Sequence, residues 1–373
     1  MLYSEIIGQE EAKERLQHMV AESRVPHALL FAGRPGSGTL PAAFAFAQHL
    51  FCTERTANAA CGNCPSCLKT KKLENPDLHL VFPIAKADKD TRSDTFIFEF
   101  RKAFLAAPYM TLDYWFQQIS AENKQPLIPV AEADDILKKL SYTSFQGSYK
   151  VMVIWQPEKM NLEAANKLLK ILEEPPDQTI FILVSDAPEQ LLVTIRSRVQ
   201  QIPFAPNTEQ EIAQALITNA NISPELAAQK AFLADGSYWN ALLSLENTDD
   251  SETFLQIFQE FMRLALRFDC GKALSWVDHA ASLGREKQKQ FLQYGLEVFR
   301  DALMFNFGER GLVRLSGPDK AFLEKFAPFI NQHNYEALVE EFNSNYYNIE
   351  RNANPKILFL DLLLKANELI NRK

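Results

Sequence analysis

Four of the five cysteines in this 373-residue chain, Cys52, Cys61, Cys64 and Cys67, fall within sixteen residues in the pattern C-x8-C-x2-C-x2-C. Short C-x-x-C spacing lets two thiolates reach one ion, and four thiolates complete a tetrahedral Zn²⁺ shell. A closed shell leaves no position for water, so the zinc is expected to be structural. Disulfides would suit a secreted chain, but the stretch Met1 to Ile7 lacks the basic flank and apolar run of a secretory signal. The expected location is the cytoplasm. Cys270 reads as an ordinary thiol on or near a helix.

A second group of residues has the placement of a phosphate site without its chemistry. The segment Gly33-Arg34-Pro35-Gly36-Ser37-Gly38-Thr39-Leu40 follows an apolar run and precedes a helical one. A working phosphate loop reads G-x-x-x-x-G-K-[ST]. Gly33 and Gly38 fit, but Thr39 stands at the lysine position and Leu40 at the magnesium hydroxyl. No cation is supplied for the β and γ phosphates and no oxygen for a metal. The backbone N–H groups of Gly36 to Gly38 could still cradle an anion. Further on, Trp155 and Gln156 stand where such folds keep a metal-binding aspartate and an acidic base. Indole cannot hold a hard cation and an amide cannot take a proton from water, so ATP is not expected to bind productively. Trp155 is expected to fill the vacant nucleotide pocket.

The elements that must position these residues are legible as runs. Ala28 to Ala32, Lys150 to Trp155 and Thr179 to Val184 are continuous apolar strand candidates. A helix is predicted over roughly Leu162 to Glu173, stopped by Glu174-Pro175-Pro176. Another is predicted over Ala42 to Leu50, with Pro41 in its first turn. Apolar strands alternating with helices mean a parallel sheet covered on both faces. After Phe204-Ala205-Pro206 the strand signals stop. Thr208 and Glu211 form a capping box, and helical periodicity runs on to Lys373. Phe254, Ile257, Phe258, Phe261, Met262 and Ala265 make one apolar stripe.

The expected division is an α/β phosphate-loop domain at 1–205, a small helical domain at 206–247 and an all-α domain at 250–373. The first domain carries the zinc module at about 52–67 and an aromatic, charged excursion at about 84–129. That excursion reads as a helical insertion packing on the sheet domain, with a partner-docking surface as the alternative.

Composition limits the choices. Charged residues make up 23% and apolar residues 47%, as in globular proteins. No uninterrupted apolar run of about 18 residues exists, so no membrane helix is expected. The net charge of −8 is unlike that of a stand-alone nucleic-acid binder.

Taken together, the chain resembles the clamp-loader family of AAA+ proteins. The similarity is carried by Ile7-Gly8-Gln9, by Arg24-Val25-Pro26-His27-Ala28-Leu29-Leu30-Phe31, by the four-cysteine module and by Asn75-Pro76-Asp77. It continues in the run Ala164-Ala165-Asn166-Lys167-Leu168-Leu169-Lys170-Ile171-Leu172-Glu173-Glu174-Pro175-Pro176, in Ile195-Arg196-Ser197-Arg198 and in Asn352-Ala353-Asn354-Pro355. It covers nearly the whole chain, apart from 84–129, which is longer than usual.

The resemblance implies an AAA+ phosphate-loop domain, a helical lid and a helical collar. It also implies a hetero-pentamer with gamma/tau-type ATPase and delta-type subunits, which loads a sliding clamp onto primed DNA. Each ATP site in such a ring is completed by an arginine from a neighbour's Ser-Arg-Cys motif. Here that motif reads Ser197-Arg198-Val199, which keeps the arginine as a finger acting in trans. The lid's nucleotide-sensing arginine should follow Gly236-Ser237, where the chain has Tyr238-Trp239. Ser185 matches a sensor position but reads better as a strand-end cap. A broken site of its own beside a surviving donated arginine fits a non-hydrolysing stator. The rivals are an active ATPase motor subunit, a subunit that binds nucleotide without hydrolysing it, and an unrelated zinc-containing DNA-binding module.

Overall fold

The computed structural model describes residues 1–85, 91–121, 124–141, 144, 149–246, 248–308, 317–351 and 353–371. Residues 86–90 and 122–123 of the excursion, and Asn352 of the collar motif, lie outside them. The chain divides into two compact units, 1–243 and 244–373.

The first unit is built on five parallel strands: β1 (Ala28–Gly33), β2 (Leu78–Val81), β5 (Lys150–Trp155), β6 (Thr179–Ser185) and β7 (Gln200–Phe204). Their order is β2-β5-β6-β1-β7, with Leu29 opposite both Ile182 and Gln200. A separate antiparallel pair joins β3 (Ile84–Ala85) to β4 (Pro126–Leu127). β5 and β6 are buried along their whole length because both faces of the sheet are covered. Alternate residues load the two faces. Leu29, Phe31, Val153 and Ile182 pack with the helix Thr39–Phe51, whereas Leu30, Met152, Ile154 and Leu183 pack with Leu168 and Leu172 of the helix Leu162–Glu173. The Asn161 side chain caps that second helix by accepting from the Ala164 N–H at 2.8 Å, and Glu174-Pro175-Pro176 ends it.

β2 and β7 add to the three strands legible as apolar runs. Both lie at sheet edges, and Gln200 and Gln201 of β7 are exposed, so neither needs a continuous apolar sequence. The excursion forms the helices Ile97–Ala106 and Leu112–Gln118. Phe100, Phe104, Trp115 and Phe116 are buried in the core that covers one face of the sheet. Trp115 Nε1 donates to the Pro83 carbonyl at 2.8 Å, satisfying the one polar atom of a buried indole. Phe98 stays exposed.

Beyond Pro206 the described residues form helices and their connections. Thr208 and Glu211 form the expected capping box on the helix Glu209–Ala220, which is followed by Pro224–Leu233 and by Tyr238–Glu246. The second unit holds the helices Thr248–Leu266, Cys270–Ser282, Arg285–Asn306, Gly317–Phe326, Tyr335–Glu350 and Pro355–Asn371. Its core is aromatic, with the stripe from Phe254 to Ala265 buried against Trp276, Phe291 and Phe342.

Candidate functional site

The four-cysteine module is held by local geometry. Pro65 opens the short helix Pro65–Lys71, and Cys64 caps it by accepting the Cys67 N–H at 3.5 Å. Cys52 Sγ accepts from the Cys61 N–H at 3.2 Å, and Cys61 Sγ from the Cys64 N–H at 3.3 Å. The four sulfurs lie within 4.8 Å of one another, with separations of 4.0 Å for Cys61–Cys67 and 3.9 Å for Cys52–Cys64. A tetrahedron with Zn–S bonds of about 2.3 Å has edges of about 3.8 Å, so the donor set fits the ion.

Burial pushes the Cys52 and Cys67 thiols up. Burial also opposes ionisation of Cys64, but hydrogen bonds from the backbone and side chains of Cys67 and Thr53 outweigh it and bring that thiol down to about 6. Four crowded sulfurs cannot all shed protons unless a cation takes up the charge, which is what a divalent metal supplies.

Asn75 ties the module to the sheet. Its amide donates to Ser66 Oγ at 3.2 Å and to Thr70 Oγ1 at 3.1 Å, both on the zinc helix. Its oxygen accepts from the Asp77 N–H at 3.0 Å, and the Asp77 carbonyl accepts from Val151 of β5 at 2.9 Å.

The phosphate loop runs from the end of β1 into the helix Thr39–Phe51, with Gly36 and Gly38 at φ of 77° and 102°. Thr39 and Leu40 are buried, so neither side chain is presented to a ligand. Trp155 is buried at the end of β5. Its ring packs edge-on against Phe100 of the excursion, 5.8 Å between centroids. Gln156 adopts a left-handed conformation and donates its amide to the Asp186 carboxylate. Ser185 is a strand-end cap whose Oγ accepts from the Ala187 N–H at 3.2 Å.

Two carboxyl groups missed in the sequence lie beside Gln156. Glu158 Oε1 accepts from the backbone N–H of Asp186 at 3.2 Å and of Ala187 at 3.3 Å. Burial and the nearby Glu158 push the Asp186 carboxyl up to about 7, against the pull of the Gln156 amide. The Ser-Asp pair closing an apolar strand was the available signal.

The space over the loop is taken by the helical segment after Gly236. A Cβ on Gly36 would lie 2.2 Å from Ser237 Oγ and 2.8 Å from Trp239 Cβ. The Tyr238 N–H donates to the Gly36 carbonyl at 3.2 Å. Gln9 braces the same region, its Nε2 donating to the carbonyls of Ser37 at 3.1 Å and Ala205 at 2.6 Å and to Asn207 Oδ1 at 3.1 Å.

Arg198 follows the short helix Val193–Arg196 and precedes β7. Its guanidinium is exposed, donates to the Thr194 carbonyl at 3.0 Å and pairs with Glu173. Ser197 Oγ donates to the same Thr194 carbonyl at 3.0 Å. Val199 is partly buried and packs against the core behind the sheet.

A five-stranded parallel sheet whose β1 feeds a glycine loop and a helix, with helical segments after the sheet, defines the AAA+ phosphate-loop class. Within it, the chain belongs to the family described as DNA polymerase III, delta subunit, which matches residues 8–208. This agrees with the clamp-loader resemblance of the sequence.

Among similar proteins, DNA polymerase III subunit delta' of Bacillus subtilis is 27% identical over 85% of this chain and 82% of its own length. The Escherichia coli subunit delta' is 25% identical over 82% and 78%. Subunit tau of Bacillus subtilis is 25% identical over 96% of this chain but only 60% of its own length. A gamma subunit-related protein of Thermotoga maritima aligns with 13% identity over 96% of this chain and 100% of that one, at a TM-score of 0.40.

Proposed function

We propose that this chain is the delta-prime, non-hydrolysing stator of a bacterial clamp loader. In this reading it sits in a hetero-pentamer with gamma/tau-type and delta-type subunits, in the cytoplasm. It helps load the sliding clamp onto primed DNA and gives Arg198 to a neighbouring ATPase site. The observation that carries the reading is an asymmetry. Thr39, Leu40, Trp155 and Gln156 offer nothing to nucleotide or metal, while Arg198 stands exposed on the surface. A guanidinium supplied in trans neutralises charge developing on a transferring γ-phosphoryl group. Residues 1–205, 206–247 and 250–373 act as phosphate-loop domain, lid and collar. Structural zinc on Cys52, Cys61, Cys64 and Cys67 braces the first of them.

Equilibrium binding of a labelled ATP analogue to the purified chain tests the reading. No saturable binding is expected up to millimolar analogue. Tight, magnesium-dependent binding would replace the stator with a nucleotide-binding subunit of the same loader.

A further inference from the structure

The described part of the excursion supplies two tyrosines to the lid side of the phosphate loop. Tyr109 packs edge-to-face on Tyr238, with centroids 5.0 Å apart at 71°. Tyr114 does the same to Trp239, at 4.9 Å and 64°. Tyr109, Tyr238 and Trp239 are buried, and the Tyr109 hydroxyl is fixed by accepting the Ile7 N–H at 2.7 Å. A Cβ on Gly38 would lie 3.3 Å from the Tyr109 ring, so the tyrosine rests on the loop itself. Tyr238 and Trp239 also contact the loop at Gly36, through a hydrogen bond and close packing.

Edge-to-face ring pairs add directional stabilisation beyond the apolar area they bury. In proteins that close over a ligand, the ligand itself supplies the contacts that hold the moving segment shut. Here the contacts come from the chain.

We propose that the excursion is an internal lid lock: Tyr109 and Tyr114 clasp Tyr238 and Trp239 and hold the 206–243 segment against the phosphate loop without any nucleotide. The inference goes beyond the stator reading and does not depend on Arg198. It gives the excursion a role inside the chain instead of on a partner. It also gives the aromatic pair Tyr238-Trp239 a task in place of the missing arginine.

The test is hydrogen exchange, read by mass spectrometry, on the full chain and on Tyr114→Leu, Trp239→Leu and the double variant. Peptides covering 33–39 and 207–243 should exchange about tenfold faster in each single variant, as expected for a local opening that has lost a ring pair. Peptides from 254–306 should be unchanged, which reports that the variants fold. The double variant should exchange no more than about twofold faster than the quicker single variant, because the two residues act as one contact.

Magnesium ATP at millimolar concentration should leave lid exchange in the unaltered chain as it is. Tyr109→Phe keeps the ring and should stay within about threefold of the unaltered chain. Three results would overturn the lock. One is unchanged lid exchange in both single variants. Another is the two factors multiplying in the double variant, which would mean independent contacts. The third is lid exchange slowed by ATP, which would mean that nucleotide does the closing. A failed finger test leaves all of these readouts intact, so the two ideas fall separately.

Discussion

Arg198 Nη2 lies 2.6 Å from Glu173 Oε1, so the arginine offered as a finger is held by the last residue of the helix that ends in Glu174-Pro175-Pro176. A second tether, the hydrogen bond from its Nη1 to the Thr194 carbonyl, fixes the other side of the fork. Both groups are partly exposed, and such pairs contribute only about 0.2–1 kcal/mol to folding. Their value is in orientation: a guanidinium aimed before the neighbour arrives loses less freedom on engaging it.

Arg198→Ala should therefore abolish most turnover at the ATP site it serves, on the order of 10³-fold, while the chain folds and assembles normally. Glu173→Gln should lower turnover at that site by no more than about fivefold, matching the small orientation energy of an exposed pair. Clamp- and DNA-stimulated ATPase of the assembled loader checks both. Unchanged activity in the Arg198 variant removes the finger.

Metal analysis of the purified chain should find about one zinc per chain, since one closed shell needs four thiolates. Cys61→Ser should lose it and lower the melting temperature. A Cys61→Ser chain with full zinc content would refute the four-cysteine site.

Asp186 predicts a pH dependence of stability. Burial and Glu158 raise its carboxyl from 3.8 to about 7, so the folded chain keeps a proton that the unfolded chain has already released. The stabilisation from that proton is complete below about pH 4 and is lost as pH rises through about 7. Asp186→Asn has no proton to lose and still offers an oxygen to Gln156. Its melting temperature should fall less between pH 5 and pH 8 than that of the unaltered chain. Parallel profiles would show that the carboxyl does not titrate there.

Rebuilding the loop signature should not rebuild the site. The pair of changes Thr39→Lys and Leu40→Thr restores the sequence pattern, but both positions are buried and Ser237 and Trp239 occupy the space against Gly36. No binding of a labelled ATP analogue is expected. Micromolar binding would mean that the missing side chains alone disabled the site.

Much of this could be read from residue order. The helix Leu162–Glu173 falls where its periodicity and the Pro175-Pro176 stop placed it, because both signals are local. The cysteine cluster forms as spaced, since C-x-x-C geometry needs little from the rest of the fold. β2 does not stand out because it is only four residues long and His79 interrupts it, and β7 because only Ile202 and Phe204 of it are buried. Trp155 meets Phe100, a residue 55 positions away whose approach depends on the excursion and which no local pattern pairs with it. For the same reason, nothing in the sequence paired Tyr114 with Trp239 or Arg198 with Glu173. Contacts across long separations are set by topology, which residue spacing does not encode.

The bridge from the zinc helix through Asn75 to β2 carries one more consequence. β2 is the four-residue edge strand that shields β5, which is buried along its whole length and apolar after Lys150. If the cysteine module comes apart, the anchor on the chain entering β2 goes with it, and β5 becomes the bare margin of a sticky sheet. Uncovered margins of this kind recruit other chains by strand pairing. Molecules made under metal starvation should therefore clump into aggregates before they show any general loosening of the fold, and an ion held by the four cysteines would then guard the chain against self-association.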